Sequence, residues 1–466
     1  MLLKNLNNLI KLQNVTKLLL NDQKTLKLCR ISSQNTQFIR RITSGPSQLG
    51  GAANSSKDYE ATAGTMTDVK QKIIAALGIQ SYYNPIVSSR EHLTQYVPES
   101  QDGLPARSMQ DSFTSAIIPI GSDLALRDKY VSFLGTVRFG RLMEDMDMFA
   151  VWIIHNHVKI PDLDPDIHLP YTFVTISVDK IDFTDLIAKH DADIRLSGHV
   201  SWVGRSSIEC VVWMEQKQHG KWRKLTRALF LMAARDPTNT RAAVVNPLNP
   251  ATDEEKQIFA GGESRKKRRS LLQKQDLMKS PPNAYEQTLI HEMFKKSIDV
   301  TSKAFNKRIL PPGSVWMEDA DMSNIIFSHP EDRNAHNKVF GGFLMRHALE
   351  LSFANAYQFS KHRPKLEHIS DISFHAPVDV SSLINMSAHV IYTELHYMEI
   401  VVLAEVYDPI TGQRTTTNSF FYTYSNSEKL PQIMPRTYHE AMWYLDGRRK
   451  FIYAMGLDQS ATGTKQ

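Results

Sequence analysis

Two glycines open an apolar helix in this chain, and an amide side chain comes just before them. They are Gly341 and Gly342, preceded by Asn337-Lys-Val-Phe and followed by Phe343-Leu-Met-Arg-His-Ala-Leu-Glu350. Leu344, Ala348 and Leu351 fall on one face of a helix. Without a Cβ, glycine lets the backbone approach a ligand closely. The first N–H groups of a helix have no partner inside it and can hold negative charge. A turn of this kind, with the Asn337 amide beside it, suits a carbonyl that becomes an oxyanion. Helices often begin after glycine, so the turn gains its weight from a second copy elsewhere in the chain.

Other reactive residues carry less. His155-Asn-His157 resembles a ligand pair, but a two-residue spacing on a helix sends the rings to different faces, which reads as helix surface. His199 and His389 recur in matching strands, as packing residues do. Gly135-x-x-x-x-Gly140 lacks the Lys-Ser/Thr of a phosphate loop. The only cysteines are Cys29 and Cys210, too few for a disulfide framework or a cysteine metal site. No metal and no cofactor is called for.

The elements that must position the turn come in duplicate. Met109-Gln-Asp matches Met317-Glu-Asp, 208 residues later. Gly135-Thr-Val-Arg-Phe-Gly140 falls on Asn337-Lys-Val-Phe-Gly-Gly342 at a displacement of 202, with the helix face Leu142, Met146, Phe149 on Leu344, Ala348, Leu351. Val178–Phe183 falls on Ile369–Phe374 at 191, and His199 and Glu209 fall on His389 and Glu399 at 190. Order is kept and the displacement changes only in loop-like stretches, so residues 109–235 and 317–424 read as two copies of one unit. Each copy reads as a strand, one long helix, then β-rich stretches. These are Ile181–Phe183, Ser197–Val203, Ser207–Glu215 and Leu225–Ala233, then Ile369–Phe374, Asn385–Tyr392, Met398–Tyr407 and Thr416–Tyr424. One helix against several antiparallel strands makes an α+β unit with a sheet wrapped around a central helix.

Outside the copies, residues 1–45 are cationic, acid-poor and leucine-rich, the composition of a mitochondrial transit peptide. Residues 46–108 hold a linker and a short helix, Asp68–Leu77, with Gly78 placed to end it. Residues 236–313 read as a linker with the basic run Arg265-Lys-Lys-Arg-Arg269 and a helix at Tyr285–Lys296. The second unit takes 314–425, and the tail 426–466 holds a helix at Tyr438–Tyr444. The chain's 466 residues allow two or three domains, and no apolar run reaches the roughly 20 residues of a membrane span. A net charge of +6 is too mild to imply nucleic acid.

This pattern resembles the hotdog fold, and the chain resembles mitochondrial acyl-coenzyme A thioesterases with two tandem hotdog units. The motifs that carry the resemblance are Arg333–Arg346 with its Asn-x-x-Phe-Gly-Gly, Tyr397-Met-Glu399, Thr415-Thr-Thr-Asn418, Tyr444-Leu-Asp-Gly447 and, in the first unit, Val137–Asp147. The resemblance implies hydrolysis of fatty acyl-coenzyme A to free acid and coenzyme A in the mitochondrial matrix. It also implies homo-oligomers, as trimers of the double unit. The family's site pairs an Asn before the glycine turn of one unit with an acid on the helix of the other. Here the second unit has Asn337 where the first has Gly135, and the first has Asp147 where the second has Leu349. The complete pair is Asn337 with Asp147, leaving one competent site and one vestigial site.

Asp147 is then general base or nucleophile, and Gly341 and Gly342 bind the carbonyl. Glu350, one residue past the family's acid position, is a further candidate acid. Arg138 and Lys338 are candidate contacts for coenzyme A, as is the basic run 265–269, whose bland alternative is a solvated linker. An enoyl-thioester hydratase of the same fold and a non-hydrolytic acyl-coenzyme A sensor are the rival readings.

Overall fold

The structure is a computed structural model and describes residues 61–78, 89–179, 181–183, 188–218, 220–299, 308–334 and 338–457. Helix α1 (Met66–Leu77) has a Thr65–Asp68 capping box and ends at Gly78 with φ 65, the left-handed stop expected at that glycine. Short helices α2 (Met109–Ser112) and α3 (Leu124–Tyr130) flank strand β1 (Thr114–Ile118). The first long helix, α4, spans Phe139–His157. Strands β2 (Thr172–Val178), β3 (Ile181–Phe183), β4 (Ile194–Val203), β5 (Ser207–Gln218) and β6 (Lys221–Arg235) follow. Next come α5 (Asp253–Lys274), α6 (Ala284–Lys296), β7 (Ser314–Trp316) and β8 (Asp321–Phe327). The second long helix, α7, spans Gly341–Ser360 and precedes β9 (Lys365–Ile369), β10 (Ile372–Phe374), β11 (Leu383–Glu394), β12 (Tyr397–Tyr407) and β13 (Arg414–Ser425). A short strand β14 (Gln432–Met434) and helix α8 (Tyr438–Ala454) complete the order, and all these elements lie within Ala52–Ala454.

The architecture is mixed α and β, dominated by one 12-stranded sheet in the order β1-β4-β5-β6-β2-β10-β13-β12-β11-β8, with β3 and β9 bridging β6 and β13. Every pairing in it is antiparallel. The two halves of that order repeat each other. A bulge interrupts β4–β5 between Val200 and Trp202, and another interrupts β11–β12 between Val390 and Tyr392. A second pair lies at Met214/Glu215 and at Ala404/Glu405. The same displacement, 190, relates both pairs, so strand irregularities repeat along with the residues.

Leu142, Met146, Phe149, Ala150 and Ile153 of α4, and Leu344, Met345, Ala348 and Leu351 of α7, are buried. The apolar faces read from spacing are core. The halves meet reciprocally at the helix starts. A Cβ on Gly140 would lie 3.2 Å from Arg346 Cγ, and one on Gly342 would lie 2.8 Å from Glu144 Cα. Residues 140 and 342 are counterparts, as are 144 and 346, so each helix start rests on the other helix one turn in. Only glycine permits that approach. The sheet joins in the same manner: Val178 pairs with Ile372, and Ile181 with Ile369.

Two expectations need correction. Residues 253–274, within the stretch read as a linker, form a 22-residue helix with a Thr252–Glu255 capping box that carries the basic run. The three arginines of its basic run are neither solvated nor free for a ligand phosphate, while Lys266 and Lys267 are exposed. Arg265 Nη2 lies 2.5 Å from the fully buried Glu209, Arg269 lies 3.2 Å from the buried Asp179, and Arg268 lies 3.2 Å from Asp371. The run fastens α5 to the sheet through charges that would otherwise be buried unpaired. Helix α8, longer than expected, stands in the same relation to the second half. Gly262 of α5 sits against Trp202, and Gly447 of α8 against Ile391 and Tyr392. The second correction concerns His157, which is fully buried, with Nε2 3.0 Å from the Asn246 carbonyl oxygen. Burial, the main cause, pushes its pKa down to about 4.

Candidate active site

The helix starts bring an acid from one half against a backbone donor from the other. Asp147 sits at the start of the third turn of α4, where a surface acid would be unremarkable, yet its residue exposure is 2%. The Gly342 N–H, on the first turn of α7, donates to Asp147 Oδ2 at 2.9 Å. The Thr175 hydroxyl, on β2, donates to Asp147 Oδ1 at 2.8 Å. Three elements thus fix one carboxyl, and two of its lone-pair directions are committed. Its neighbour Asp145 has a different task, tied to Tyr130 Oη at 2.5 Å and Lys70 Nζ at 3.0 Å.

Burial pushes the pKa of Asp147 up to about 6, against the opposing effect of the Thr175 and Gly342 hydrogen bonds. The repulsion of Glu144 adds to the rise. A carboxyl with a pKa near 6 is ionised at neutral pH and more basic than an ordinary aspartate, as a general base should be.

Gly341 supplies the space. A Cβ there would lie 3.0 Å from the Phe374 ring and 3.4 Å from Asp147 Oδ2. The missing side chain therefore leaves a gap bounded by the acid, an aromatic wall and the start of a helix. The Gly341 N–H has no hydrogen-bond partner among the described residues. Of the two glycines expected at the carbonyl, Gly342 donates its N–H to the acid in this structure.

The counterpart corner differs at each of these positions. Leu349, buried, stands where the first half has Asp147. The bulges at Thr175/Ser177 of β2 and at Leu366/His368 of β9 align Thr175 with Leu366. Phe139 replaces Gly341, and its ring meets Phe183, the counterpart of Phe374, edge-on at 4.6 Å. Acid, hydroxyl and gap are replaced together by two leucines and a phenylalanine plug.

The remaining described candidates have other partners. Glu350 is on the exposed side of α7, 2.6 Å from Arg138, so the structure does not bring it to the acid. One step along a helix turns a side chain by about 100°. Lys338 pairs with Asp379. Asn337 lies outside the described residues. The described residues flanking 335–337 bond to each other: the Asn334 N–H donates to the Lys338 carbonyl oxygen at 2.7 Å, and the Lys338 N–H donates to Asn334 Oδ1 at 3.1 Å. Thr175 and Phe374 were not among the sequence candidates. The β-branched run Thr172–Val178 was a signal for the strand, but nothing in it marks Thr175 as the residue aimed at an acid. Among the described residues no cluster of His, Cys, Asp and Glu could hold a metal ion, and no helix is long and apolar enough to cross a membrane.

A buried acid held at a glycine helix start, between paired long helices in an antiparallel sheet, places the protein in a class that comparison defines further. No family model matches the chain. Mitochondrial acyl-coenzyme A thioesterase 9 of Homo sapiens is 38% identical over 426 residues, covering 91% of this chain and 95% of that protein. Mitochondrial acyl-coenzyme A thioesterase 10 of Mus musculus is 39% identical over 390 residues, 82% of this chain and 88% of that protein. An acyl-ACP thioesterase structure from Bacteroides thetaiotaomicron aligns more loosely, with a TM-score of 0.39 and 12% identity over 68% of this chain and all of that one. The chain belongs to the mitochondrial acyl-coenzyme A thioesterase 9 family.

Proposed function

We propose that the protein hydrolyses acyl-coenzyme A thioesters to free acid and coenzyme A, in the mitochondrial matrix, at one composite site. The observation that carries this reading is the Asp147 carboxylate, buried on α4 and held by the Gly342 N–H of α7. The thioester carbonyl enters the gap at Gly341, where the backbone N–H stabilises its developing oxyanion. Asp147 takes a proton from water as that water attacks, or attacks the carbonyl itself to form an anhydride that water then opens. The coenzyme A thiolate leaves in either route. The Asn337 amide orients the carbonyl or the water, and Arg138 and Lys338 meet the phosphates by exchanging their present carboxylate partners. Glu350 is a distant reserve candidate.

Residues 109–235 and 314–425 are, on this reading, two hotdog units, extended by α5 and α8 respectively. The repeated bulges and the reciprocal contacts at Gly140 and Gly342 support it. The chain assembles further, as trimers on this reading; exposed Ile325 (59%) and Phe327 (62%) on β8, at the end of the sheet order, offer an apolar edge for association without fixing the number. The amino-terminal 45 residues, outside the described residues, direct import.

The test is coenzyme A release from a panel of acyl thioesters, using protein that lacks those 45 residues, with the free acid identified. Release with free acid supports the reading. Hydrated enoyl product without coenzyme A favours the hydratase, and tight binding without turnover favours the sensor.

A further inference from the structure

One motif from the sequence, Thr415-Thr-Thr-Asn418, has no role in the chemistry above. Strand β13 carries Asn418, Phe420, Tyr422 and Tyr424 at every second position, hence on one face. That face looks towards α7. The Tyr424 hydroxyl is 2.7 Å from Ser352 Oγ of α7, and Phe420 meets Phe374 edge-on with ring centroids 6.2 Å apart. The strand therefore runs along the helix, with Asn418 at the end nearer the glycine turn.

Asn418 is the direct cross-strand partner of Phe374, so the two side chains share a face as neighbours. Phe374 is also the ring that borders the gap at Gly341. Asn418 is fully buried, and among the described residues neither Nδ2 nor Oδ1 has a hydrogen-bond partner; the buried Tyr422 hydroxyl, further along the same face, also lacks one there. Buried polar groups are nearly always satisfied, and a carboxamide with both ends vacant calls for a partner that donates and accepts. In the other half the counterparts are Thr226 and Phe230, and neither carries an unsatisfied buried atom. The vacant amide occurs on the side that also has the acid.

We propose that Asn418 selects acyl groups carrying a hydroxyl close to the thioester, as in 3-hydroxyacyl-coenzyme A. This rests on the thioesterase reading above. A hydroxyl both donates and accepts, and one cross-strand step beyond the Phe374 wall is within reach of the acyl carbons next to the carbonyl. Rotation of the Phe374 ring opens that step.

The experiment compares kcat/KM for 3-hydroxybutyryl- and butyryl-coenzyme A in wild type, Asn418→Leu and Asn418→Thr, the last carrying the residue of the other half. Wild type should favour the hydroxylated substrate by at least about tenfold, chiefly through KM, because a site built to bond a hydroxyl rejects an analogue lacking it. Asn418→Leu should abolish or invert the preference while butyryl turnover persists. Should the leucine variant not fold, Asn418→Thr should still lower the preference with butyryl kcat unchanged. Equal rates for the two substrates in wild type, or an undiminished preference in both variants, overturn the proposal and leave thioester hydrolysis standing. Hydrolysis of neither substrate by wild type overturns the thioesterase reading, and this proposal with it.

Discussion

Replacing Thr175 by valine keeps the shape of the side chain and removes one of the two hydrogen bonds that hold the Asp147 carboxylate. A hydrogen bond to a charged group contributes roughly 1.5–3 kcal/mol. At about 1.4 kcal/mol per pKa unit, its loss raises the carboxyl pKa by about one to two units. Since Asp147 already stands at about 6, its value in Thr175→Val moves to about 7–8. The base must be ionised to act, so kcat/KM for the wild type rises with pH through about 6 and then levels. The profile of kcat/KM reports the free enzyme, which is the state described above. Coenzyme A release measured across about pH 4 to about pH 9, which brackets both values, should show the rising limb of Thr175→Val displaced to higher pH. Much of the wild-type rate should return at the alkaline end. An undisplaced limb would refute the role given to Thr175. A uniform loss at every pH would assign the hydroxyl to the substrate rather than to the acid.

Gly341→Ala places a methyl 3.0 Å from Phe374 and 3.4 Å from Asp147; kcat should fall at least about tenfold while circular dichroism and melting stay near wild type, because the Phe374 ring can yield. Asp147→Asn should raise stability at pH 8 by about 3 kcal/mol in urea titrations. The raised folded-state pKa means that wild-type stability falls as pH climbs from about 4 through about 6, so the gain should vanish below about pH 4. Glu399, fully buried with Thr423 at 2.6 Å and Oε1 unpartnered, has its pKa pushed by burial up to about 8. Glu399→Gln should therefore gain about 3 kcal/mol at pH 7, again losing the advantage below about pH 4, with activity unchanged; a loss of stability at pH 7 would show that the acid is satisfied in solution.

How much of this was legible in the sequence depended on whether the signal was local or shared between the halves. The helix faces of α4 and α7 follow from a periodicity that burial demands, and the structure buries them. Asp147 stood out only through the repeat, since a lone helix acid between Glu144 and methionines is ordinarily solvated. Thr175 stayed invisible because its aim depends on a β-bulge, and a bulge shifts the register without leaving a residue signature. The kinship of α5 and α8 was hidden for a similar reason. What they share is a glycine against the sheet, Gly262 and Gly447, while the charges have diverged to Arg265 on one and Lys450 on the other. The basic run misled because a charge cluster looks solvated until the buried acids opposite it, Glu209 and Asp179, are brought near by folding.

The proposed mechanism rests on one acid, on the first helix, serving a glycine turn on the second. Coenzyme A release by Asp147→Asn, Leu349→Asp and the double variant tests it most directly. Asp147→Asn should lose at least about a hundredfold in turnover. Leu349→Asp alone should leave turnover near wild type, and it should not rescue the double variant, because Leu366 and Phe139 leave its corner without a hydroxyl or a gap. Full activity in Asp147→Asn, or rescue by Leu349→Asp, would contradict the account.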